Sequence, residues 1–458
     1  MMLGIRKVKK QALTVSGEGV MKTDIHNKSG NNMSERKCLN CGNRLEYIFA
    51  DLGTSPLCNE IVKPDQVNEG QMNYPLQTYV CDQCFLVQVG KCVSPEKIYE
   101  DYSYFSSYSD SWLRHAKQYV DYMADRYEIN RESFVVEIAS NDGYLLQYFN
   151  QKKVPLLGIE PSDTVARAAL EKGIPTEMEF FGTDSAERLQ KKYKSADLIL
   201  GNNVLAHVPR INDFIEGLDI MLDENGIMTF EFPHLMQLVE NNQFDTIYHE
   251  HFFYYSLHSV QSLFKKHGFT IFDVQELATH GGSIRIFVTR SANQKYQVSE
   301  NVRQLLRQEE RKGYLNVDFY QSFGKYVEQT KRDILRLLLN LKNNGRSIVG
   351  YGAPGKGNTL LNYCGIGTDF IDYTVDRNPH KQGHYLPGSL IPILAPDKIR
   401  DTKPDYIFIL PWNLKDEIMK QLDYVNEWGG KFIVPIPQPM IINSRPIQVE
   451  LPVLTSGL

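Results

Sequence analysis

The stretch "FVVEIASNDGYLL", Phe134 to Leu146, decides how this chain is built. It opens as a near-continuous apolar run rich in β-branched residues, the composition of a strand buried on both faces. It then meets Ser140, Asn141, Asp142 and Gly143, residues that favour tight turns, and leaves as the helical "YLLQYF". Strand, tight turn and helix start make the first part of a βαβ unit. In a doubly wound sheet, ligands settle at the carboxyl ends of the strands, beside such turns.

The same grammar continues downstream. "VPLLGIEPS" is a strand ending at Glu160, and "TVARAALEKG" is its helix with a glycine stop. "ADLILGNNVLAHV" is another strand, with Asn202, Asn203 and His207 just past its end. "GIMTFEFP", "GFTIFDVQEL" and "SIRIFVTR" read as later strands, the last two close enough to form an antiparallel edge. Alternating strands and helices predict an α/β fold, with a mostly parallel, Rossmann-like sheet over residues 95–290. Residues 37–94 read as a small cysteine-bearing unit of short hairpins. Residues 291–345 are a charged helical connection. Residues 346–458 form a second, smaller α/β unit, opened by "RSIVGYGAPGKGNTLLNY". Residues 1–36 are expected to be a flexible extension.

Composition narrows the classes of function. The chain has 458 residues, 42% hydrophobic and 23% charged, which is ordinary globular usage spread over more than one core. A net charge of −5 gives no reason to expect nucleic acid or an anionic membrane as partner. No apolar run approaches the ~20 residues of a membrane span. A monomer is the default expectation. Four of the seven cysteines form two knuckles, Cys38-x-x-Cys41 and Cys81-x-x-Cys84. Four thiolates suit tetrahedral Zn²⁺, and four protein ligands fill the metal, so the zinc is expected to be structural. The pairing favours a reducing compartment, the cytoplasm, over a disulfide framework. Cys58, Cys92 and Cys364 read as ordinary small apolar residues.

The two strand-end carboxylates bear on a cofactor. Glu160 lies 23 residues after Glu137, where a carboxylate can accept both hydrogen bonds of a ribose diol. With Asp142 and Gly143 in the intervening turn, this is the layout of an S-adenosylmethionine (SAM) site. It is not the dinucleotide fingerprint, because Gly143 is the turn's one glycine.

"FDTIYHEHFFYYS", Phe244 to Ser256, admits three readings. In an extended chain His249 and His251 point one way, and Tyr248 and Glu250 the other. A metal would need a further ligand such as His234 or His258. A proton-transfer cluster needs a histidine oriented by Tyr or Glu, because imidazole suits acid–base work near neutral pH. The third reading is an aromatic loop with solvated histidines. "VGYGAPGKGNTL" carries Gly350-x-Gly352-x-x-Gly355 with Asp376 after the next strand, the dinucleotide spacing. Its amides and Lys356 suit a pyrophosphate, either of NAD or of a substrate's nucleotide.

Taken together, the paired CxxC knuckles, "YSYFSSYSDSW", "VEIASNDGYLL", "GIEPS", "NNVLAHV", "YHEHFFYYS", "HGGSIRIF" and "GYGAPGKGNTLLN" resemble one family. It is the SAM-dependent C-methyltransferases of nucleotide-linked deoxysugars, the sugar C-3-methyltransferase type. The resemblance runs from about residue 37 to residue 440. It implies a zinc domain, a central SAM-binding domain and a C-terminal α/β domain for the substrate's nucleotide. It also implies a 4-keto sugar, since only a neighbouring ketone makes a sugar C–H acidic enough to give an enolate. On this resemblance His251 is the base that removes the C3 proton, and Tyr248 and Glu250 orient it or the sugar. His207 and Tyr104 hydrogen-bond the substrate, with His207 placed to stabilise the enolate oxygen. Glu137, Ala139, Asp142, Gly143, Glu160, Asn202 and Asn203 serve the cofactor. Gly352, Gly355, Lys356 and Asn358 serve the substrate's phosphates. The chain departs from the family at Ala139, where glycine is common, and the extra methyl narrows the cofactor turn. The competing readings are an NAD-dependent sugar-nucleotide oxidoreductase or epimerase, for which no Tyr-x-x-x-Lys pair stands out, a zinc-ribbon scaffold, and a metal hydrolase.

Overall fold

Three sheets take up the alternating apolar patterns. The structure, a computed structural model, describes residues 36–90, 93–99 and 105–443. The expected flexible extension, but for Arg36, lies outside the described residues.

The central sheet has seven strands, in the order Phe269–Leu277, Ser283–Arg290, Leu222–Pro233, Ala196–Asn202, Val135–Ile138, Leu156–Ile159, Thr176–Glu177. Val135–Ile138 pairs in parallel with Leu156–Ile159 on one side and Ala196–Asn202 on the other. Every residue of it is buried, as a strand covered on both faces requires. Ser283–Arg290 runs antiparallel to both of its neighbours, so the expected antiparallel edge is present. The turn leaving Val135–Ile138 takes positive φ at Ala139 (+56°), Asn141 (+51°) and Gly143 (+73°). Asparagine and glycine accept that conformation cheaply, and alanine does not.

The cysteine unit is a four-stranded antiparallel sheet, and its last strand comes from elsewhere. Tyr47–Ser55, Tyr74–Val80 and Val87–Val89 are consecutive, but Phe253–Tyr254 completes the sheet, with Val87 opposite Tyr254 and Gln88 opposite Phe253. The aromatic run after His251 is therefore pinned to the cysteine unit. The residues before it are not extended. Tyr248 to His251 form a turn closed by the His251 N–H donating to the Tyr248 carbonyl at 3.0 Å. The expected alternation of side chains is lost there, because a turn has no two-residue period.

The third sheet has six strands, ordered Ile393–Leu394, Thr374–Val375, Ile348–Tyr351, Tyr406–Ile409, Lys431–Val434, Met440–Asn443, all parallel but the last pair. Helices Glu300–Lys312 and Val317–Asn343 precede it, as the charged helical pattern predicts. Phe323 on the second stacks on Phe49 of the cysteine unit, with ring centroids 4.6 Å apart. Glu309 on the first is buried and accepts from the N–H groups of Leu257 (2.6 Å) and His258 (3.0 Å). A carboxylate there satisfies free amides at the start of helix Leu257–Lys266 and fixes the end of the 244–256 loop. One continuous apolar cluster joins Val80, Phe252, Phe232 and Ile407, so the three sheets share a core.

Candidate active site

The turn after Val135–Ile138 gathers buried polar atoms at the carboxyl edge. Glu137 is fully buried, and among the described residues neither carboxylate oxygen has a full hydrogen bond. Burial, then the charges of Glu160 and Asp142, push its pKa well above the usual carboxylate range, and the Leu146 amide only partly offsets this. Glu160 accepts from the N–H groups of Asn141 (3.0 Å) and Ser162 (2.9 Å). Asp142 pairs with Lys172 at 2.8 Å and accepts from the Ser107 hydroxyl, while its Oδ1 has no hydrogen-bond partner among the described residues. Asn202 donates to the Tyr144 hydroxyl at 3.3 Å, and Asn203 lies 3.1 Å from His280 Nε2, with no partner for its own Oδ1 among the described residues. Trp112, near the start of helix Asp110–Tyr127, stacks on Tyr144 and meets His280 edge-on, with centroids 5.9 and 5.2 Å away. Unpaired carboxylate and amide oxygens at one edge suit the ammonium and ribose hydroxyls of SAM, so the residues present fit that cofactor. Ala139 is half-buried beside them.

The four knuckle cysteines converge. Cys38 and Cys84 sulfurs are 3.6 Å apart, Cys41 and Cys81 are 3.5 Å apart, and all four lie within 4.8 Å of one another. A tetrahedral zinc with ~2.3 Å bonds places its sulfurs ~3.8 Å apart, so the set fits the metal. The knuckles turn through Gly42 (φ +79°) and Phe85 (φ +54°), whose N–H groups donate to the carbonyls of Cys38 and Cys81.

Past the carboxyl edge sits an imidazole cluster. His207, just beyond strand Ala196–Asn202, meets His251 edge to face at 4.8 Å, and Tyr248 lies over His251 at 4.0 Å. All three are half-buried, so solvent reaches them. His251 Nδ1 is 3.0 Å from the Thr246 carbonyl, which can only accept, so Nδ1 carries the proton and Nε2 keeps its lone pair. His207 likewise donates to the Glu250 carbonyl. Burial lowers His207 to about 4 and His280 to about 4. Burial and then His207 hold His251 well below the ordinary imidazole value. These shifts all favour the neutral imidazoles, so the His251 Nε2 lone pair is unprotonated near neutral pH.

Other expected site residues have divergent surroundings. The Glu250 side chain faces the cysteine unit, where it accepts from Asn59 Nδ2 at 2.7 Å and lies 3.6 Å from the Cys58 thiol. His249 points to the same unit, donating to the Pro75 carbonyl at 3.3 Å. His249 and His251 therefore do not share a side. His234 pairs with Glu309 at 2.7 Å and His258 with the Leu306 carbonyl at 3.1 Å, so neither joins His251 in a metal site. Tyr104 and Cys92 lie outside the described residues. Gly352 (φ +90°) and Gly355 are spent on close packing: a Cβ on the first would meet Pro411 at 2.6 Å and on the second Cys58 Sγ at 2.9 Å. Asn358 donates to the Cys58 carbonyl at 2.6 Å. Lys356 turns inward, donating to Asn413 Oδ1 at 2.9 Å above the Trp412 ring, while Trp412 Nε1 donates to Asp245 Oδ2 at 2.6 Å. Sequence reading assigned no role to His280, Asp245, Trp412 or Asn59, and took Cys58 for a packing residue. The signals that touched any of them were the "HGG" motif, which holds His280, and the stretch Phe244–Ser256, which holds Asp245.

Three family models match this chain in sequence order: a zinc binding domain over residues 38–99, a methyltransferase domain over 110–274, and a C-methyltransferase C-terminal domain over 278–437. The chain belongs to the SAM-dependent C-methyltransferase family built from these parts. It is 33% identical over 409 residues to the C-methyltransferase NovU of Streptomyces niveus, covering 89% of this chain and 97% of that protein. Among solved structures, a SAM-dependent methyltransferase from Anabaena variabilis is similar at 13% identity over 43% of this chain and 91% of its own, with a TM-score of 0.34. A magnesium protoporphyrin IX methyltransferase from Synechocystis is similar at 14% identity over 43% and 89%, with a TM-score of 0.31. The enzyme is thus a SAM-dependent C-methyltransferase with a zinc-binding domain, and its substrate is a small molecule. Among the described residues no helix is long and apolar enough to cross a membrane.

Proposed function

We propose that this enzyme methylates the carbon beside the ketone of a nucleotide-linked 4-keto deoxysugar. The observation that carries this reading is the His207–His251 pair, whose N–H groups are both committed to backbone carbonyls, which leaves the Nε2 lone pair of His251 as the acceptor for a substrate C–H. His251 Nε2 takes the proton at C3, the C–H electrons become the enolate, and the carbon then attacks. Bound SAM supplies an electrophilic methyl on a sulfonium, which needs no metal. Tyr248 supports the face of His251, Glu250 orients the base or the sugar, Tyr104 binds the sugar, and Glu137, Ala139, Asp142, Gly143, Glu160, Asn202 and Asn203 line the cofactor site. Gly352, Gly355 and Asn358 shape the wall toward the substrate's nucleotide. The three sheets support a division into cysteine, central and C-terminal domains joined by the 291–345 helices, and we keep the monomer and the reducing cytoplasm as the working reading.

The test offers dTDP-, GDP- and CDP-linked 4-keto-6-deoxyhexoses with SAM and follows S-adenosylhomocysteine release and the mass of the sugar product. A 14-dalton gain on a carbon of one of them supports the reading. Binding of NAD⁺ with no binding of S-adenosylhomocysteine, measured by calorimetry, would overturn it. Asp376 bears on that rival: its carboxylate accepts from the Ala353 and Asn378 N–H groups, both at 2.8 Å, and so is engaged within its own loop.

A further inference from the structure

An enolate needs a positive group or a hydrogen-bond donor at its oxygen, and the N–H groups of the neutral His207 and His251 rings are already spent. The single N–H of neutral His207 goes to the Glu250 carbonyl and that of neutral His251 to the Thr246 carbonyl. His207 was expected to hold the enolate oxygen, but its one N–H as a neutral imidazole is committed to the Glu250 carbonyl.

The C-terminal unit supplies a cation at the same place. Lys356 stands in the first turn of helix Gly355–Cys364, half-buried, with its ammonium 4.7 Å from the centre of the Trp412 ring. Its described hydrogen-bond partner is a neutral amide, Asn413 Oδ1. Trp412 packs between two parts of the cluster. Its Nε1 donates to Asp245, next in sequence to Thr246, and its ring edge would lie 2.9 Å from a Cβ placed on Gly281, next to His280. The charge of Lys356 is felt by His251, His280 and Asp245 alike. An ammonium with one hydrogen-bond partner among the described residues, a neutral amide, and across an indole from its counter-charge, is placed to meet negative charge that develops in a substrate.

We propose that Lys356 is a catalytic residue whose ammonium stabilises the enolate oxygen, with Asn413, Trp412 and Asp245 as positioning residues, and that it does not anchor the substrate's phosphates. This rests on the keto-sugar reading above. In the step, His251 Nε2 gains the C–H proton, the C–H pair forms the new C=C bond, and the carbonyl π pair moves to the oxygen facing Lys356. When the carbon attacks, the carbonyl reforms and the lysine keeps its proton.

The test uses the full chain, with Lys356→Gln and Lys356→Arg, a dTDP-linked 4-keto-6-deoxyhexose and S-adenosylhomocysteine in D₂O. NMR follows deuterium entry beside the ketone, and calorimetry gives the affinity for dTDP alone. Equal melting temperatures and equal zinc content confirm folding. We expect Lys356→Gln to slow deuterium entry about a hundredfold, the loss typical of one oxyanion partner. Affinity for dTDP should stay within threefold, and Lys356→Arg should recover part of the rate. Unchanged deuterium entry in Lys356→Gln would overturn the assignment. So would a tenfold loss of dTDP affinity with normal exchange in the saturated complex, which would make Lys356 a phosphate anchor. No exchange in the unaltered enzyme would bring down the keto-sugar reading and this assignment together, which separates the two failures.

Discussion

Ala139 sits at φ +56° in the cofactor turn, a conformation that costs a residue with a Cβ about 1 kcal/mol or more. Glycine would relieve that cost but carries ~0.5–1 kcal/mol of extra unfolded-state entropy. Ala139→Gly should therefore leave the melting temperature nearly unchanged. Ala139→Val should cost ~1–3 kcal/mol, because a β-branched residue there is a strained outlier. Thermal unfolding of the two variants checks both. The histidines give a second residue-level outcome. With His207 and His280 lowered to about 4 in the folded protein, the unfolded chain binds more protons between that value and the ordinary 6.5. Stability should fall as pH drops from about 6.5 to 4 and owe these groups no further loss below that. His251, the proposed base, is held well below the ordinary imidazole value, so the acid limb of kcat/KM should lie below pH 6.5. A melting series and a pH–rate profile read these outcomes, and an acid limb centred above pH 7 would remove His251 as the base. His251→Ala should abolish methyl transfer with little change in S-adenosylhomocysteine affinity.

At the scale of elements, the 244–256 loop owes its shape to three neighbours. Phe253–Tyr254 pairs with the cysteine sheet, Glu309 caps the helix that follows, and the Tyr248–His251 turn aims the imidazole inward. The structural zinc is therefore coupled to activity without touching substrate. Removing it with a chelator should lower the melting temperature and kcat together. Refilling with Co²⁺ or Cd²⁺ should restore both, since these ions accept tetrahedral thiolates. Loss of activity with Cd²⁺ at full stability would mean that the metal takes part in chemistry.

Across the whole molecule, the site is assembled by all three sheets. Glu250 from the central unit is held by Asn59 of the cysteine unit, whose neighbour Cys58 is held by Asn358 of the C-terminal unit. Asn59→Ala leaves a buried carboxylate one hydrogen bond short, a loss of ~1–3 kcal/mol. It should raise KM for the sugar more than it changes S-adenosylhomocysteine binding, and steady-state kinetics beside calorimetry would show the split. Gly355→Leu should be worse, because Cys58 Sγ already stands 2.9 Å from the position of a Cβ.

Local sequence determined much of this. The buried strand and turn at Phe134–Leu146, the two CxxC knuckles and the strand-end Glu137 and Glu160 follow from periodicity, turn chemistry and spacing, because the interactions that shape them lie within a few residues or within one βα unit. The family's signature motifs also marked His207 and His251. What only the tertiary structure decided is which distant segments meet. Phe253–Tyr254 joins a sheet more than 160 residues upstream in sequence, Glu250 faces Asn59 (191 residues away), and Trp412 bonds Asp245 (167 residues away). Such contacts leave no local period to read, since a single side chain reaching across a domain boundary is set by how whole sheets pack. The same packing turned Lys356 inward toward the imidazoles, where a Gly-rich phosphate loop had been the natural reading of its neighbours.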